Sequence, residues 1–277
     1  MVKYILIRLG KDKIAALISC RGGSERLPRK NVRLAGGKPL LEWNLIAATE
    51  SKLVDRVFLS TDDDEMRDLG RKYGVDLITQ PWQATKQGRF NVSVVFAGLR
   101  GIKEYNYEPD CLLMMYPSSP LVEAWHLDDA IEKFRKSPMC STIVCLHKVH
   151  KSVSHLHNIY IIDQNDMACS FMGVILPPIL GQPTYYACGG GFGITSLKGV
   201  WEYDLGEVTE DMTEDELLQM DNEMYIDLSA IPMGLGWQAS NMAYVMDEDD
   251  VCDINTEKDL IVADALFKMR ERKRGNA

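Results

Sequence analysis

A chain of 277 residues, 46% apolar and 26% charged, can bury one large core or two modest ones. Its formal net charge of −9 argues against an extended basic surface, and so against a nucleic-acid backbone or an anionic membrane as its main partner. The seven cysteines are scattered with no Cys-x-x-Cys pair, which reads as the reduced thiols of a cytoplasmic protein.

The apolar patch over 1–9 is interrupted by Arg8, Lys11, Asp12 and Lys13 before a signal-peptide core forms, and no run approaches a membrane span. The first predicted element is Ile14–Ser19, an apolar run that reads as a buried strand. The twelve residues Cys20 to Asn31 follow it, with two glycines and four cations, Arg21, Arg26, Arg29 and Lys30. Backbone N–H groups at glycines can approach a ligand closely, and cations beside them suit a polyphosphate. In an acidic chain such a loop is a local device rather than general surface basicity.

Pro39 then opens a helix with Leu41, Leu45 and Ala48 on one face, and Val54–Leu59 reads as the second strand. Ser60-Thr61-Asp62 ends that strand with capping residues, ahead of a helix whose inner face is Met66, Leu69 and Tyr73. Val75–Thr79 is a third strand. Val95, Leu99 and Ile102 are spaced as a helix, Cys111–Tyr116 as a strand closed by Pro117-Ser118-Ser119-Pro120, Trp125–Lys136 as a helix, and Ser141–Leu146 as a strand. Alternation of this kind predicts an α/β fold, a mostly parallel sheet with helices on both faces. Ligands of such sheets sit at the carboxyl ends of the strands, where 21–31, 60–64 and 117–120 would converge.

After His147 the spacing becomes irregular. Strands are expected near Ile159–Ile162 and Gly173–Leu176, within an arm inserted over 147–186 of an otherwise single domain spanning 1–277. Gly189 to Gly193 returns to the core, Glu207–Asp221 reads as a helical surface excursion, and Tyr244–Met246 as a strand. Asp253-Ile254-Asn255-Thr256 leads into a last helix capped by Thr256 and Asp259. Asp247 to Asp250 reads as an exposed turn. Four histidines, His147, His150, His155 and His157, match the spacing of no standard zinc finger or ribbon. A dehydrogenase is excluded for want of Gly-x-Gly-x-x-Gly, and a P-loop ATPase for want of Gly-Lys-Ser/Thr.

Arg21-Gly22-Gly23-Ser24, Arg26-Leu27-Pro28, Lys30-Asn31 and Gly37-Lys38-Pro39-Leu40 together resemble the nucleotide-binding signature of the cytidylyltransferases that activate acidic sugars, the CMP-sialic acid synthetases among them. Ser60-Thr61-Asp62-Asp63, Pro117-Ser118-Ser119-Pro120-Leu121 and Asp253-Ile254-Asn255-Thr256 follow in that family's order. The resemblance implies a nucleotide-diphospho-sugar transferase-like Rossmann variant with a dimerisation arm. It also implies transfer of CMP from CTP to an acidic 3-deoxy-2-keto sugar, with Mg²⁺ as cofactor and a homodimer as the assembly. On this reading Arg21, Gly22, Gly23, Ser24, Lys30 and Asn31 bind nucleotide. Arg21, Lys30 and Asp253 are catalytic, Asp253 and Asn255 hold the metal, and Tyr116, Ser118 and Lys151 meet the acceptor. The cytidine side would be lined by Asn31 and by residues around Gln80 to Asn91.

The chemistry of the residues is consistent with that assignment. Attack of a sugar hydroxyl on the α-phosphate of a nucleoside triphosphate builds negative charge on the phosphate and on departing pyrophosphate, so cations must face both. Ser24 and loop amides can hold non-bridging oxygens, and Arg21 and Lys30 can face the leaving group.

Several positions depart from the family. Asn255 stands where a second carboxylate is usual, Glu25 where Lys is common, and Val122 where Arg is frequent. Gln80-Pro81 replaces an Arg-Pro start, and Tyr116 is similar to the branch acting on pseudaminic acid rather than sialic acid. These changes leave open a different acceptor sugar or a weakened nucleotide-binding homologue, and a sugar-phosphate nucleotidyltransferase is a second rival reading.

Overall fold

A computed structural model describes residues 12–84, 92–137, 140–148, 159–162, 164, 166–170, 186–187, 191–202, 204–229 and 241–275. Gly173–Leu176, the 85–91 stretch, Lys151 and the histidines at 150, 155 and 157 lie outside them. The centre of the fold is β1 (Ile14–Ser19), hydrogen-bonded in parallel to β4 (Arg56–Thr61) on one side and β6 (Cys111–Met115) on the other, with β5 (Asp76–Thr79) parallel beyond β4. A short hairpin, β2 (Leu34–Ala35) and β3 (Lys38–Pro39), forms its own two-stranded sheet ahead of the first helix.

Both faces of β1 are covered, which is why its sequence is a continuous apolar run instead of an alternating one. Ile14, Ala16 and Ile18 join a core with α1 (Leu40–Glu50), α2 (Asp64–Lys72) and α4 (Ala124–Arg135). Ala15 and Leu17 point the other way, toward Phe96, Leu99 and Ile102 of α3 (Val92–Glu104). The α3 backbone approaches the sheet so closely that a Cβ on Gly98 would stand 2.2 Å from Leu17 Cδ2. Glycine there sets the helix-to-sheet distance.

Beyond β6 the direction changes. β11 (Phe192–Ser196) runs antiparallel to both β6 and β7 (Thr142–Lys148), and β12 (Asn241–Met246) runs parallel to β7. The described strands of the predicted arm, β8 (Ile159–Ile162), β9 (Ala168–Ser170) and β10 (Tyr186–Ala187), extend this same sheet in the order β7-β10-β8-β9. A bridge between Met167 and Met242, with the Ala243 N–H donating to the Asp166 carbonyl, joins that end back to β12.

Most elements fall where the sequence places them, and the differences have local causes. Ser60 and Thr61 remain within β4, and the cap of α2 is Asp63, whose carboxylate accepts the Met66 N–H at 3.1 Å. Pro39 is the residue preceding α1 rather than its first turn. The expected surface excursion is α5 (Glu214–Ser229), which is anchored inside: Leu217 and Asp221 are buried, and Asp221 pairs with Arg100 of α3. Arg100 also donates through Nε to the Leu205 carbonyl at 2.6 Å. Asp249 and Asp250 belong to a short 3-10 turn, where Asp250 is paired with Arg270 of α6 (Glu257–Gly275) rather than exposed.

Arg100→Ala would leave the Asp221 carboxylate buried without its cation. Breaking one side of a buried pair costs about 3–5 kcal/mol. The expected result is a lower denaturant midpoint of that order, while Arg100→Ala/Asp221→Leu recovers much of the loss.

Candidate active site

Three strand ends and one returning segment build a cleft of about 560 Å³ at the carboxyl edge of the parallel sheet. β1 supplies Ser19 and the loop after it, β5 leads into Gln80, β6 supplies the Tyr116 to Ser118 turn, and the approach to α6 supplies Asn255. Two contacts hold these pieces in register. The Ile254 N–H donates to the Ser118 carbonyl at 2.8 Å. Leu27, 2% exposed, packs in a cluster with Ile254, Leu260 and Phe267. The apolar residue inside Arg26-Leu27-Pro28 thus fastens the cationic loop to the Asp253 segment.

The loop is also tied to β4 and α2. The Gly22 N–H donates to Asp62 Oδ1 at 2.7 Å, and Arg29 pairs with both Asp63 and Glu65. A Cβ on Gly22 would stand 2.8 Å from Asp63 Oδ2, so a side chain there would push against the carboxylate where the loop lies along this helix start. Burial works against the Asp63 charge, but the Arg29 guanidinium and the Met66 N–H hold its carboxyl below the usual carboxylate range. Ser60-Thr61-Asp62-Asp63 is therefore chiefly an anchor, and one of the four cations, Arg29, is spent on it. Arg29 takes a left-handed conformation (φ 55°) that starts the 3-10 turn Lys30–Val32.

That turn aims Lys30 into the cleft. Burial lowers the Lys30 pKa, the Asp253 carboxylate opposes that shift, and the Arg26 and Arg21 charges lower it further. Asn31 is 7% exposed and donates through Nδ2 to the Arg21 carbonyl at 3.1 Å, which fixes the backbone around the first arginine. Glu25 lies 4.0 Å from Arg21. Cys20 also lines the cleft, but burial pushes its thiol up to about 12, which removes it as a nucleophile near neutral pH.

Asn255 meets its neighbour directly: its Nδ2 donates to Asp253 Oδ2 at 2.7 Å. Asp259 accepts the Asn255 and Thr256 N–H groups at 2.9 and 2.8 Å, capping α6 as the sequence predicts. His147, at the end of β7, has its pKa lowered by burial, with the Glu248 and Asp253 charges opposing. Among the described residues, no cluster of three or more His, Cys, Asp or Glu side chains could hold a metal by itself.

Of the predicted site residues, Arg21, Ser24, Lys30, Asn31, Tyr116, Ser118 and Asn255 line the one cleft. Asp253 is not in the lining but is hydrogen-bonded to Asn255 and within electrostatic reach of Lys30. Gly22 and Gly23 do not line it; the Gly22 amide is committed to Asp62. Ser19, Glu25 and Arg26 line the cleft without having been singled out as site residues, and Gln80, which the resemblance set on the cytidine side, lines it as well. The position of Ser19 as the last residue of a central parallel strand was the signal available for it.

A family model described as cytidylyltransferase matches residues 15–230. The chain belongs to the cytidylyltransferase family. Among curated members, the N-acylneuraminate cytidylyltransferase of Oncorhynchus mykiss is 32% identical over 142 residues, 50% of this chain and 32% of that protein. The pseudaminic acid cytidylyltransferase of Campylobacter jejuni is 32% identical over 123 residues, 44% of this chain and 53% of that protein. The match thus spans about a third to half of these relatives. A solved CMP:2-keto-3-deoxy-manno-octonic acid synthetase, complexed with CTP, has the same fold, with a TM-score of 0.66 at 13% identity over 93% of this chain and 99% of that one.

Proposed function

We propose that this cytidylyltransferase carries CMP from CTP to a hydroxyl of an acidic 3-deoxy-2-keto sugar of the sialic or pseudaminic acid type, releasing pyrophosphate. The observation that carries the reading is the gathering of Arg21, Arg26 and Lys30 in the lining of a cleft that Asn255 also lines, with the Asp253 carboxylate hydrogen-bonded to Asn255 and within electrostatic reach of Lys30. Cations lining a cleft with a carboxylate close by suit a triphosphate and its counter-ion. The relatives acting on N-acylneuraminate and pseudaminic acid support the choice of acceptor.

In this reaction the sugar oxygen bonds to the α-phosphorus as the bond to the α–β bridging oxygen breaks. The hydroxyl loses its proton and pyrophosphate departs with the electron pair. Lys30 and Arg21 face the charge that grows on the leaving group, and because Lys30 is partly desolvated its attraction for phosphate is stronger than in water. Ser24 offers a hydroxyl to a non-bridging oxygen. Tyr116 and Ser118, which line the cleft on the β6 side, would border the acceptor.

Mg²⁺ fits the donor set, because this ion is commonly held by one or two carboxylates with the remaining sites filled by phosphate oxygens and water. Asp253 would be the carboxylate and Asn255 the neutral oxygen donor; when bound, the ion would neutralise phosphate charge and acidify the attacking hydroxyl. A homodimer built through 147–186, with Lys151 near the partner's acceptor, follows from the family resemblance. A cytoplasmic location is supported by the free, buried thiols of Cys20, Cys111, Cys140, Cys145 and Cys252. No helix among the described residues is long and apolar enough to cross a membrane.

Pyrophosphate release with CTP, Mg²⁺ and a panel of acidic sugars tests the reading. Release with a nonulosonate alone supports it; release only with sugar 1-phosphates identifies a different nucleotidyltransferase. CTP binding with no release across the panel identifies a weakened homologue.

A further inference from the structure

Asn44 lies in the interior of α1 at 0% exposure, one helical turn from the buried Leu40, Leu41, Ala47 and Ala48. An apolar residue would suit that face. The asparagine is destabilising there in one respect, because its Oδ1 is buried with no hydrogen-bond partner. The other end of the amide is used: Nδ2 donates to the Ser119 carbonyl at 3.3 Å, between residues 75 positions apart. A polar group retained in a packed face is explained by what its one bond holds.

That bond holds the turn after β6. Pro117 and Pro120 have no N–H to give it, and the Ser119 N–H closes it onto the Tyr116 carbonyl at 2.9 Å. Its other carbonyls take donors from outside. The Ser118 carbonyl accepts the Ile254 N–H at 2.8 Å, the Ser119 carbonyl accepts the Asn44 amide, and the Leu121 carbonyl accepts Arg270 Nη2 at 2.7 Å. Two consecutive carbonyls thus serve different elements, Ser118 the segment that includes Asp253 and Asn255, and Ser119 the helix α1. The turn bridges the two.

We propose that Asn44 is a positioning residue for the cation site: it fixes the Ser119 carbonyl, and through the Ser118–Ile254 bond it sets the segment on which Asp253 and Asn255 stand. The inference rests on the reading above in which those two residues hold Mg²⁺. Asn44 is not in the cleft lining and acts through two backbone hydrogen bonds. Replacing a group that orients metal ligands from outside the coordination sphere costs roughly 10–100-fold in metal affinity or activity, and a group one step further out belongs at the low end of that range.

Amide hydrogen exchange and Mn²⁺ binding, the latter followed by electron paramagnetic resonance, test it on the whole wild-type chain, Asn44→Leu and Asn44→Ala. Leucine is close to asparagine in size and alanine is smaller, so the two remove the donor with different effects on packing. Exchange at Leu17, in the middle of β1, reports global opening, and exchange at Ile254 reports the turn. The ratio of the Ile254 rate to the Leu17 rate should rise about tenfold in both variants. The Mn²⁺ dissociation constant should rise by about tenfold as well. An unchanged ratio overturns the role of Asn44, since a residue that only supports the fold moves both amides together. A raised ratio with unchanged Mn²⁺ affinity overturns the link to the cation. A wild-type chain that binds no Mn²⁺ overturns the metal reading instead, and the exchange ratio still decides whether Asn44 sets the segment.

Discussion

Lys30→Ala is expected to lower kcat by about 10²–10³-fold, the usual cost of removing one preorganised charge stabiliser from a transition state. It should do so without loss of fold. Burial lowers the Lys30 pKa, so the folded state disfavours its charged form. The unfolded chain therefore binds that proton more tightly, and stability rises with pH between the folded and the unfolded pKa. Taking the cation away removes this penalty, so Lys30→Ala should unfold at an unchanged or higher temperature. A pH–rate profile gives a second check. The charge of Lys30 is lost as pH rises through its folded pKa, so kcat should fall on the alkaline side at a lower pH than for an ordinary lysine. Lys30→Arg should lack that limb. Equal loss of thermal stability and activity in Lys30→Ala would make the residue structural and defeat the assignment.

The first half of the fold was legible in the sequence because its elements obey single, local periodicities. Ile14–Ser19 is apolar throughout because helices cover both of its faces, and nothing outside that strand is needed to read it. Non-local contacts were harder to see. The burial of Asp221 depends on Arg100, 121 positions away, and an acidic helix viewed alone reads as solvent-exposed. Likewise, the strands at 159–162, 168–170 and 186–187 are short and join the main sheet edge through pairings no spacing announces. At the site, the motif located the loop but not the division of labour within it. Arg29 and Lys30 are adjacent cations, yet one is consumed by Asp63 and Glu65 while the other turns into the cleft. The difference lies in the left-handed backbone at Arg29, which a sequence does not display.

Asp253→Asn is expected to reduce turnover by about 100-fold or more, and Asn255→Asp to lower the Mg²⁺ concentration for half-maximal rate by about tenfold. The two differ because of one hydrogen bond. Asn255 Nδ2 donates to Asp253 Oδ2, so the amide orients the carboxylate while contributing no charge. In Asp253→Asn two neutral amides meet, and the site loses the carboxylate that acts on Lys30 and would hold the cation. In Asn255→Asp two carboxylates come within hydrogen-bonding distance, an arrangement that repels itself when empty and binds a hard dication more tightly when filled. Mn²⁺ binding followed by electron paramagnetic resonance reads metal affinity apart from catalysis. The expected order of affinity is Asn255→Asp above wild type above Asp253→Asn. If Asn255→Asp binds Mn²⁺ no more tightly than wild type, residue 255 lies outside the metal's coordination sphere. Its amide would then serve only to position Asp253, and a loss of rate with unchanged metal affinity would locate that positioning in kcat.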